Sequence, residues 1–342
     1  MVDLYMKDLI TTQEWTMDEI EEALRVATRY KQIGRAGKEF PPVLKNKNFF
    51  MVFFAPSTRT RGAFEAGATL LGGHGVYVDV STTRLGAGEA VKDVAKMYDI
   101  YAHGIGVRLL DKVIDFKYGT GNPVIREFAR VAKKPVINMA DDMFHPTQAL
   151  GDIMVMREKL KKLQGKKFVV MWAYASKVRG PCSIHADLLI ASRFGMDVVL
   201  AHPPGFELDP KIMDWVRENA KESGGSFEIV NDYKEALKGA HAVFPRSWHT
   251  WQLGQVGLSQ FGLERELEIH RKYRDWMLTQ ELVDDLMEPG AIVTHVLPVF
   301  RGEEATDEVM DGPNSVIYEQ AEDNLYAKMA VMALTMNGDP GV

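Results

Sequence analysis

Asn48-Phe-Phe-Met-Val-Phe-Phe-Ala-Pro-Ser-Thr-Arg-Thr-Arg-Gly-Ala-Phe-Glu65 is the stretch on which the reading of this chain turns. Asn48 to Phe54 reads as a strand, and from Phe49 on it is an unbroken apolar run, the pattern of a strand buried on both faces. Arg61 to Leu71 reads as a helix. Between them, hydroxyls and arginines crowd the point where a strand becomes a helix. Unpaired backbone N–H groups at a helix start converge on one spot, and the helix dipole there favours an anion. Ser57, Thr58 and Thr60 can cap the helix or donate to oxygens. Arg59 and Arg61 offer planar forks that fit phosphate in a bidentate way. The plain alternative is a capped helix with two solvated arginines. Five anion-seeking groups in a row favour an anion site, and the pattern alone goes no further.

Outward from this turn the rhythm repeats. Strands are expected at Gly75–Asp79, Gly104–Val107 and Val136–Met139, and helices at Glu89–Tyr101, Val124–Val131 and Thr147–Leu163. A polar break follows at Gln164-Gly165-Lys166-Lys167. The second half then resumes with strands at Phe168–Trp172, Asp197–Ala201, Phe227–Val230, Ala242–Phe244 and Ile292–Val296, separated by helices. Such alternation argues for an α/β fold, parallel sheets with helices on both faces. The chain has 342 residues, which suits two domains. We expect a first domain of residues 1–150 completed by 320–342, and a second of 151–319.

Composition narrows the function classes. A formal charge of -6 forces no basic face, so nucleic acid is not an expected partner. The single cysteine, Cys182, allows no intrachain disulfide and no cysteine-rich metal site. The N-terminus carries acids rather than a signal-length apolar core, and no apolar run approaches the roughly 18 residues of a membrane span. A soluble cytoplasmic protein is expected, without a membrane partner. His241, His249 and His270 lack ligand spacing, so neither a metal nor a cofactor is expected.

Six segments in fixed order sharpen the reading: Pro56-Ser-Thr-Arg-Thr-Arg61 followed by Phe64-Glu65 and Leu70-Leu-Gly-Gly73; Leu85-Gly-Ala-Gly-Glu89 with Asp93; Gly106-Val-Arg108; His145-Pro-Thr-Gln-Ala-Leu150 with Asp152; His295-Val-Leu-Pro298; and Glu319-Gln-Ala-Glu-Asp323. Together they span nearly the whole chain and resemble the aspartate and ornithine carbamoyltransferase family. The resemblance implies two doubly wound parallel-sheet domains joined by interdomain helices. It implies carbamoyl transfer from carbamoyl phosphate to the amine of a small amino acid or acylated amino acid, or the reverse phosphorolysis of a ureido compound. Ser57, Thr58, Arg59 and Thr60 would then hold the phosphate, with Leu297 also contributing. Thr60, Arg108 and His145 would surround the carbonyl oxygen, and Gln148 would position the carbamoyl NH₂. Arg59, Thr60, Arg108, His145 and Gln148 are the expected catalytic residues. Arg84, beside the Gly86 and Gly88 hinges, would reach a neighbouring subunit's site in a homotrimer with shared active sites.

On the acceptor side the chain departs from the ornithine enzymes, which carry an S-M-G segment and an HCLP turn where this sequence has Pro245-Arg-Ser-Trp248 and His295-Val-Leu-Pro298. It is more similar to the N-acetylornithine and N-succinylornithine branch through Met213-Asp-Trp215, Glu222-Ser-Gly-Gly-Ser226, Ser247-Trp248 and Ala305-Thr-Asp-Glu-Val-Met-Asp311. That likeness implies a knot near 297–314. The expected acceptor-binding residues are Trp172, Lys177, Arg179, Arg246, Ser247, Trp248, Val296, Leu297 and Glu304. Core packing is the alternative for the two tryptophans, and solvated loop charges for Lys177 and Arg179. Within the branch, the acetylornithine enzymes have a lysine where Glu304 stands and an arginine where Asn324 stands. Two other functions stay open: a non-catalytic relative that binds carbamoyl phosphate, and a nicotinamide-dependent dehydrogenase. The latter lacks a G-x-G-x-x-G after a strand.

Overall fold

The run at Asn48 is a strand in the computed structural model, which describes residues 2–342. Ahead of it lies α1 (Met17–Arg35), a helix missing from the sequence reading. Thr16 and Glu19 close its start reciprocally, each side chain accepting from the other's backbone N–H. The first sheet then builds as β1 (Asn48–Phe53), α2 (Arg59–Leu70), β2 (His74–Asp79), α3 (Val91–Tyr101), β3 (Gly104–Leu109), α4 (Gly121–Val131) and β4 (Val136–Asp141). All its strands are parallel, in the order β2-β1-β3-β4. The chain steps from β1 to β2 in one direction and returns to add β3 and β4 in the other. The reversal opens a crevice beyond the carboxyl ends of β1 and β3, the position where open α/β sheets take ligands.

Phe49 of β1 stacks on Phe64 of α2 with ring centres 5.1 Å apart, and both are fully buried. On the neighbouring strand Gly106 makes room for this ring: a Cβ there would lie 2.7 Å from Phe49 Cζ. Val52, Ile105, Val107, Ile125, Phe128 and Val136 join one core cluster. Each such side chain contributes about 1.5–3 kcal/mol by leaving water.

After α5 (Pro146–Leu160) the second sheet forms: β5 (Lys167–Trp172), α6 (Cys182–Arg193), β6 (Asp197–Ala201), α7 (Pro210–Ser223), β7 (Ser226–Val230), α8 (Tyr233–Leu237) and β8 (Ala242–Arg246). Then come α9 (Trp251–Val256), α10 (Leu258–Phe261), α11 (Leu263–Arg271), α12 (Gln280–Leu286), β9 (Ile292–Val293), α13 (Asp307–Met310) and α14 (Ile317–Asn337). The strand order is β7-β6-β5-β8-β9, again all parallel. Here the reversal lies between β5 and β8. Helix α6 is buried on every face except at Arg193. Between Leu237 and Ile292 no helix was expected from the pattern of residues. Gly257 and Gly262, at φ of +90° and +94°, cut that stretch into pieces too short for a period to emerge.

Two compact units result. The first comprises the chain up to Ile114, Gly119–Gly151 and Ala321–Val342; the second comprises Asp115–Tyr118 and Asp152–Gln320. The divisions fall inside α5 and α14, so each of these helices runs from one unit into the other. The detour of Asp115–Tyr118 into the second unit has no counterpart in the sequence reading. Among the described residues no helix is long and apolar enough to cross a membrane.

Candidate active site

In the first unit the expected anion-binding residues gather at the carboxyl ends of β1, β3 and β4. Ser57 Oγ accepts from Thr60 N at 3.2 Å and so closes the start of α2. Thr58 occupies the cap position but its side chain makes no capping bond. Of the two arginines, Arg61 is committed elsewhere: its guanidinium lies 3.7 Å from the Tyr77 ring centre and donates to Glu65 at 3.1 Å. Arg59 is exposed and Thr60 buried. Arg108, next to last in β3, lies opposite Phe53, and its carbonyl accepts from Phe54 N at 3.0 Å. The β3–β4 register shifts at Val107/Arg108, the kind of irregularity that re-aims a side chain at a site. Arg108 Nη1 reaches Met139 O at 3.4 Å.

His145 follows β4 and is 8% exposed. Its Nδ1 is buried with no hydrogen-bond partner in the chain. Burial, then Arg108, then Lys328 push its imidazole well below the ordinary range, so the ring is neutral at neutral pH. Gln148, half-buried, stands on the first turn of α5, its N–H bonded to His145 O at 3.0 Å. Arg84 is exposed at a separate turn, where its carbonyl accepts from Ala87 N and Glu89 N.

The sequence reading missed what holds His145. Asp141 Oδ1 accepts from Met143 N and Phe144 N at 2.7 and 2.6 Å, and Oδ2 from Asn122 and Asn138 at 2.6 and 2.8 Å. Burial and the adjacent Asp142 push this carboxyl up to about 7, against donors that favour its ionised form. Asp142 accepts the backbone N–H groups of Gly119 to Asn122, which fixes the start of α4. The adjacent acids directly before His145-Pro146 were the available signal.

In the second unit, Arg246 ends β8 opposite Trp172 of β5. Its Nη1 donates to Pro298 O at 3.0 Å, and it stands 3.9 Å from Glu304. Arg179 lies 4.1 Å over the Phe300 ring and Lys177 lies 5.6 Å from the same ring. Ser176 N donates to Glu303 at 2.7 Å and ties their loop to that turn. Three cations thus contact the 298–304 turn, Lys177 and Arg179 at Phe300 and Arg246 at Pro298. Ser247 is buried, and its Oγ finds no partner in the chain. Val296 and Leu297 are half-buried, and Leu297 sits at φ +53°, a strained conformation for a leucine.

Three acceptor-side expectations are corrected. Trp172 is wholly buried, donates to Trp248 O at 2.9 Å and packs on Phe206 at 4.5 Å. Trp248 is equally buried and donates to Phe206 O at 2.9 Å. Both are core residues. Glu304 is also 0% exposed. Its oxygens accept from Ser247 N and Phe300 N, each at 2.8 Å, so it braces the turn rather than presenting a charge to an acceptor. Burial raises its carboxyl, but His295, Arg246 and Arg179 outweigh that and hold it down at about 2. His295 Nδ1 accepts from Leu297 N at 2.9 Å, which leaves the ring proton on Nε2, 3.4 Å from Glu304.

Among the described residues no group of three His, Cys, Asp or Glu side chains could hold a metal ion. What the geometry offers is anion binding at a helix start with an arginine and a neutral imidazole beside it, and a separate cluster of cations for a carboxylate.

Comparison with known proteins agrees with this chemistry. Residues 7–158 match the aspartate/ornithine carbamoyltransferase carbamoyl-P binding domain, and residues 147–335 the Asp/Orn binding domain. The ornithine carbamoyltransferase of Thermococcus kodakarensis is 37% identical over 99% of both chains. The N-acetylornithine carbamoyltransferase of Xanthomonas axonopodis pv. citri is 34% identical over 96% of both. The crystal structure of ornithine carbamoyltransferase from Pyrococcus furiosus superposes with a TM-score of 0.86 at 35% identity, covering 99% of this chain and 100% of that one. An N-acetyl-L-ornithine transcarbamylase superposes at 0.85 and 32% identity, covering 96% of this chain and 99% of that one. The chain belongs to the aspartate/ornithine carbamoyltransferase family.

Proposed function

We propose that the first unit binds carbamoyl phosphate through Ser57, Thr58, Arg59, Thr60 and Arg108, and that the second binds an amine that also carries a carboxylate. The transfer reaction itself follows from family membership. The amine nitrogen attacks the carbonyl carbon, a C–N bond forms, and charge collects on the carbonyl oxygen. Thr60, Arg108 and neutral His145 donate to that oxygen, and fixed donors aimed at developing charge are the strongest device available. Gln148 orients the NH₂ group. The C–O bond to phosphate then breaks, and the departing phosphate takes the amine's proton.

The observation that carries the acceptor class is the trio Arg246, Arg179 and Lys177 around Pro298 and Phe300, with the unpartnered Ser247 hydroxyl beside them. Buried Glu304 neutralises part of this charge and leaves a net positive cluster for an anion. Turnover should therefore be seen with ornithine, N-acetylornithine or another carboxylate-bearing amine, and not with putrescine. Arg246→Met should raise KM for the acceptor about tenfold or more while KM for carbamoyl phosphate holds. Putrescine as the best acceptor would overturn this reading. A cytoplasmic homotrimer in which Arg84 completes a neighbour's site belongs to the same proposal, as does a knot over 297–314. Mixed Arg59→Ala and Arg84→Ala subunits should recover activity that neither variant has alone.

A further inference from the structure

Helix α11 sends two ionisable side chains into the interior of the second unit. Glu266 and His270, one turn apart, are each 0% exposed. Charges are costly away from water, so such a pair is kept only where its bonds are well made.

The hydrogen bonds fix the protonation of the pair. His270 Nδ1 lies 3.1 Å from Ala175 O, and Nε2 lies 3.1 Å from Glu266 Oε1. A backbone carbonyl only accepts, so Nδ1 carries a proton. The contact with Glu266 needs a second proton, held by the ring or by the carboxyl. Thr250 decides between them. Its N–H donates to Glu266 Oε1 at 2.6 Å and its hydroxyl to Oε2 at 2.7 Å. Burial raises this carboxyl, but His270 and Thr250 outweigh burial and hold it below the ordinary range. The second proton therefore sits on Nε2, and His270 is an imidazolium between two acceptors. Trp172 and Phe206 enclose it in T-shaped contacts, with ring centres at 5.3 and 5.2 Å.

The acceptors belong to two loops at the carboxyl ends of adjacent strands. Ala175 lies in the loop after β5 that carries Lys177 and Arg179. Thr250 caps α9, in the segment that follows Arg246. The loops meet again where His249 N donates to Arg179 O at 2.9 Å and Ala173 N to Arg246 O at 3.0 Å. Other ionisable groups nearby are engaged elsewhere. His249 Nδ1 lies 2.9 Å from Thr250 O, Lys177 and Arg179 lie over Phe300, and Glu303 accepts from Ser176 N. Tyr273 packs on the same Trp172 and Phe206 rings.

We propose that Glu266 and His270 are positioning residues for the acceptor: the imidazolium–carboxylate pair ties the Lys177–Arg179 loop to the segment after Arg246 and so fixes the spacing of the three cations. The tie is complete while the ring holds both protons, and it weakens as pH rises and one leaves. The proposal rests on the reading of those cations as the acceptor site.

The test combines nitrogen NMR of the full chain labelled in histidine, with His270 assigned by the signal lost in His270→Gln, and kinetics with ornithine and N-acetylornithine. At pH 6 both His270 nitrogens should carry a proton. As pH rises until one is lost, KM for the acceptor should climb about tenfold with the same midpoint, while KM for carbamoyl phosphate holds. The amide of His270→Gln cannot donate in two opposite directions. Its acceptor KM should be about tenfold high at every pH and should lack that step. The acceptor's own amine titrates in both proteins, so their difference isolates the ring. Thr250→Val should raise acceptor KM about threefold and Thr250→Ser, which keeps the hydroxyl, should not; this pair carries the test if His270→Gln does not fold. A single ring proton on His270 at pH 6, or an acceptor KM unmoved in the folded variants, overturns the proposal. A wild type that turns over neither amine sinks the acceptor reading instead. Amide hydrogen exchange over 173–180 and 246–251 then decides: faster exchange in His270→Gln or Thr250→Val than in the wild type supports the tie, and equal exchange overturns it.

Discussion

Replacing Glu304 by glutamine is the most informative perturbation of the second unit. The side chain is wholly buried and accepts from two backbone amides, Ser247 N and Phe300 N, while facing His295 at 3.4 Å and Arg246 at 3.9 Å. A hydrogen bond to a charged group contributes about 1.5–3 kcal/mol. Removing one partner of a buried ion pair costs about 3–5 kcal/mol, because the other charge is left uncompensated. These contributions overlap, since the same carboxylate makes all of them. Glutamine keeps one carbonyl acceptor but turns an NH₂ toward the other amide and loses the charge beside Arg246. The expected loss is about 3 kcal/mol, rising to about 4 kcal/mol for Glu304→Ala. Five of the six tryptophans lie in the second unit, so tryptophan fluorescence during urea unfolding follows this part of the chain. The 298–304 turn that presents Arg246 should loosen as well, and KM for the acceptor should rise more than KM for carbamoyl phosphate. A Glu304→Gln protein within about 0.5 kcal/mol of wild type, the ordinary scatter of a surface change, with an unaltered acceptor KM, would show that the brace is not what the geometry says it is.

Three further outcomes are expected. Burial pushes His295 down to about 4 from an ordinary 6.5, so the unfolded chain takes up its proton at higher pH than the native one. Stability is then full above pH 6.5 and falls as pH drops toward 4, by up to about 3 kcal/mol; in urea titrations at pH 7.5 and 4.5, His295→Gln should show a smaller difference between the two pH values than the wild type. Trp172→Ala should cost about 3–5 kcal/mol as a core cavity with both KM values held at temperatures where the protein is folded; a raised acceptor KM without lost stability would return Trp172 to the binding residues. Asp142→Ala leaves four backbone N–H groups at the start of α4 without their acceptor and should lower the thermal midpoint by several degrees, which differential scanning calorimetry would detect.

The parts of this protein that were legible in its sequence are those whose chemistry is local. A buried strand, a crowded turn and a helix fall within eighteen consecutive residues at Asn48–Glu65, and the structure forms them in place. Strand-helix alternation carried the parallel sheets in the same way. What escaped depends on distant partners. Glu304 was expected to meet the acceptor, and its role as a brace depends on Ser247 N, 57 positions away, donating to it. Trp172 and Trp248 could have lined a pocket or filled a core, and it is Phe206, whose ring packs on Trp172 and whose carbonyl accepts from Trp248, that draws both into the core. Asp115–Tyr118 joins the second unit through bonds such as Tyr118 N to Gly254 O, a pairing that no local pattern announces.

The central claim is tested most directly by phosphate release from carbamoyl phosphate, measured with purified protein and a panel of aspartate, ornithine, N-acetylornithine, N-succinylornithine and putrescine. The account predicts turnover with a carboxylate-bearing amine, and loss of at least about a hundredfold in kcat/KM in Arg59→Ala. Phosphate release that no amine stimulates, or that Arg59→Ala leaves intact, would contradict it.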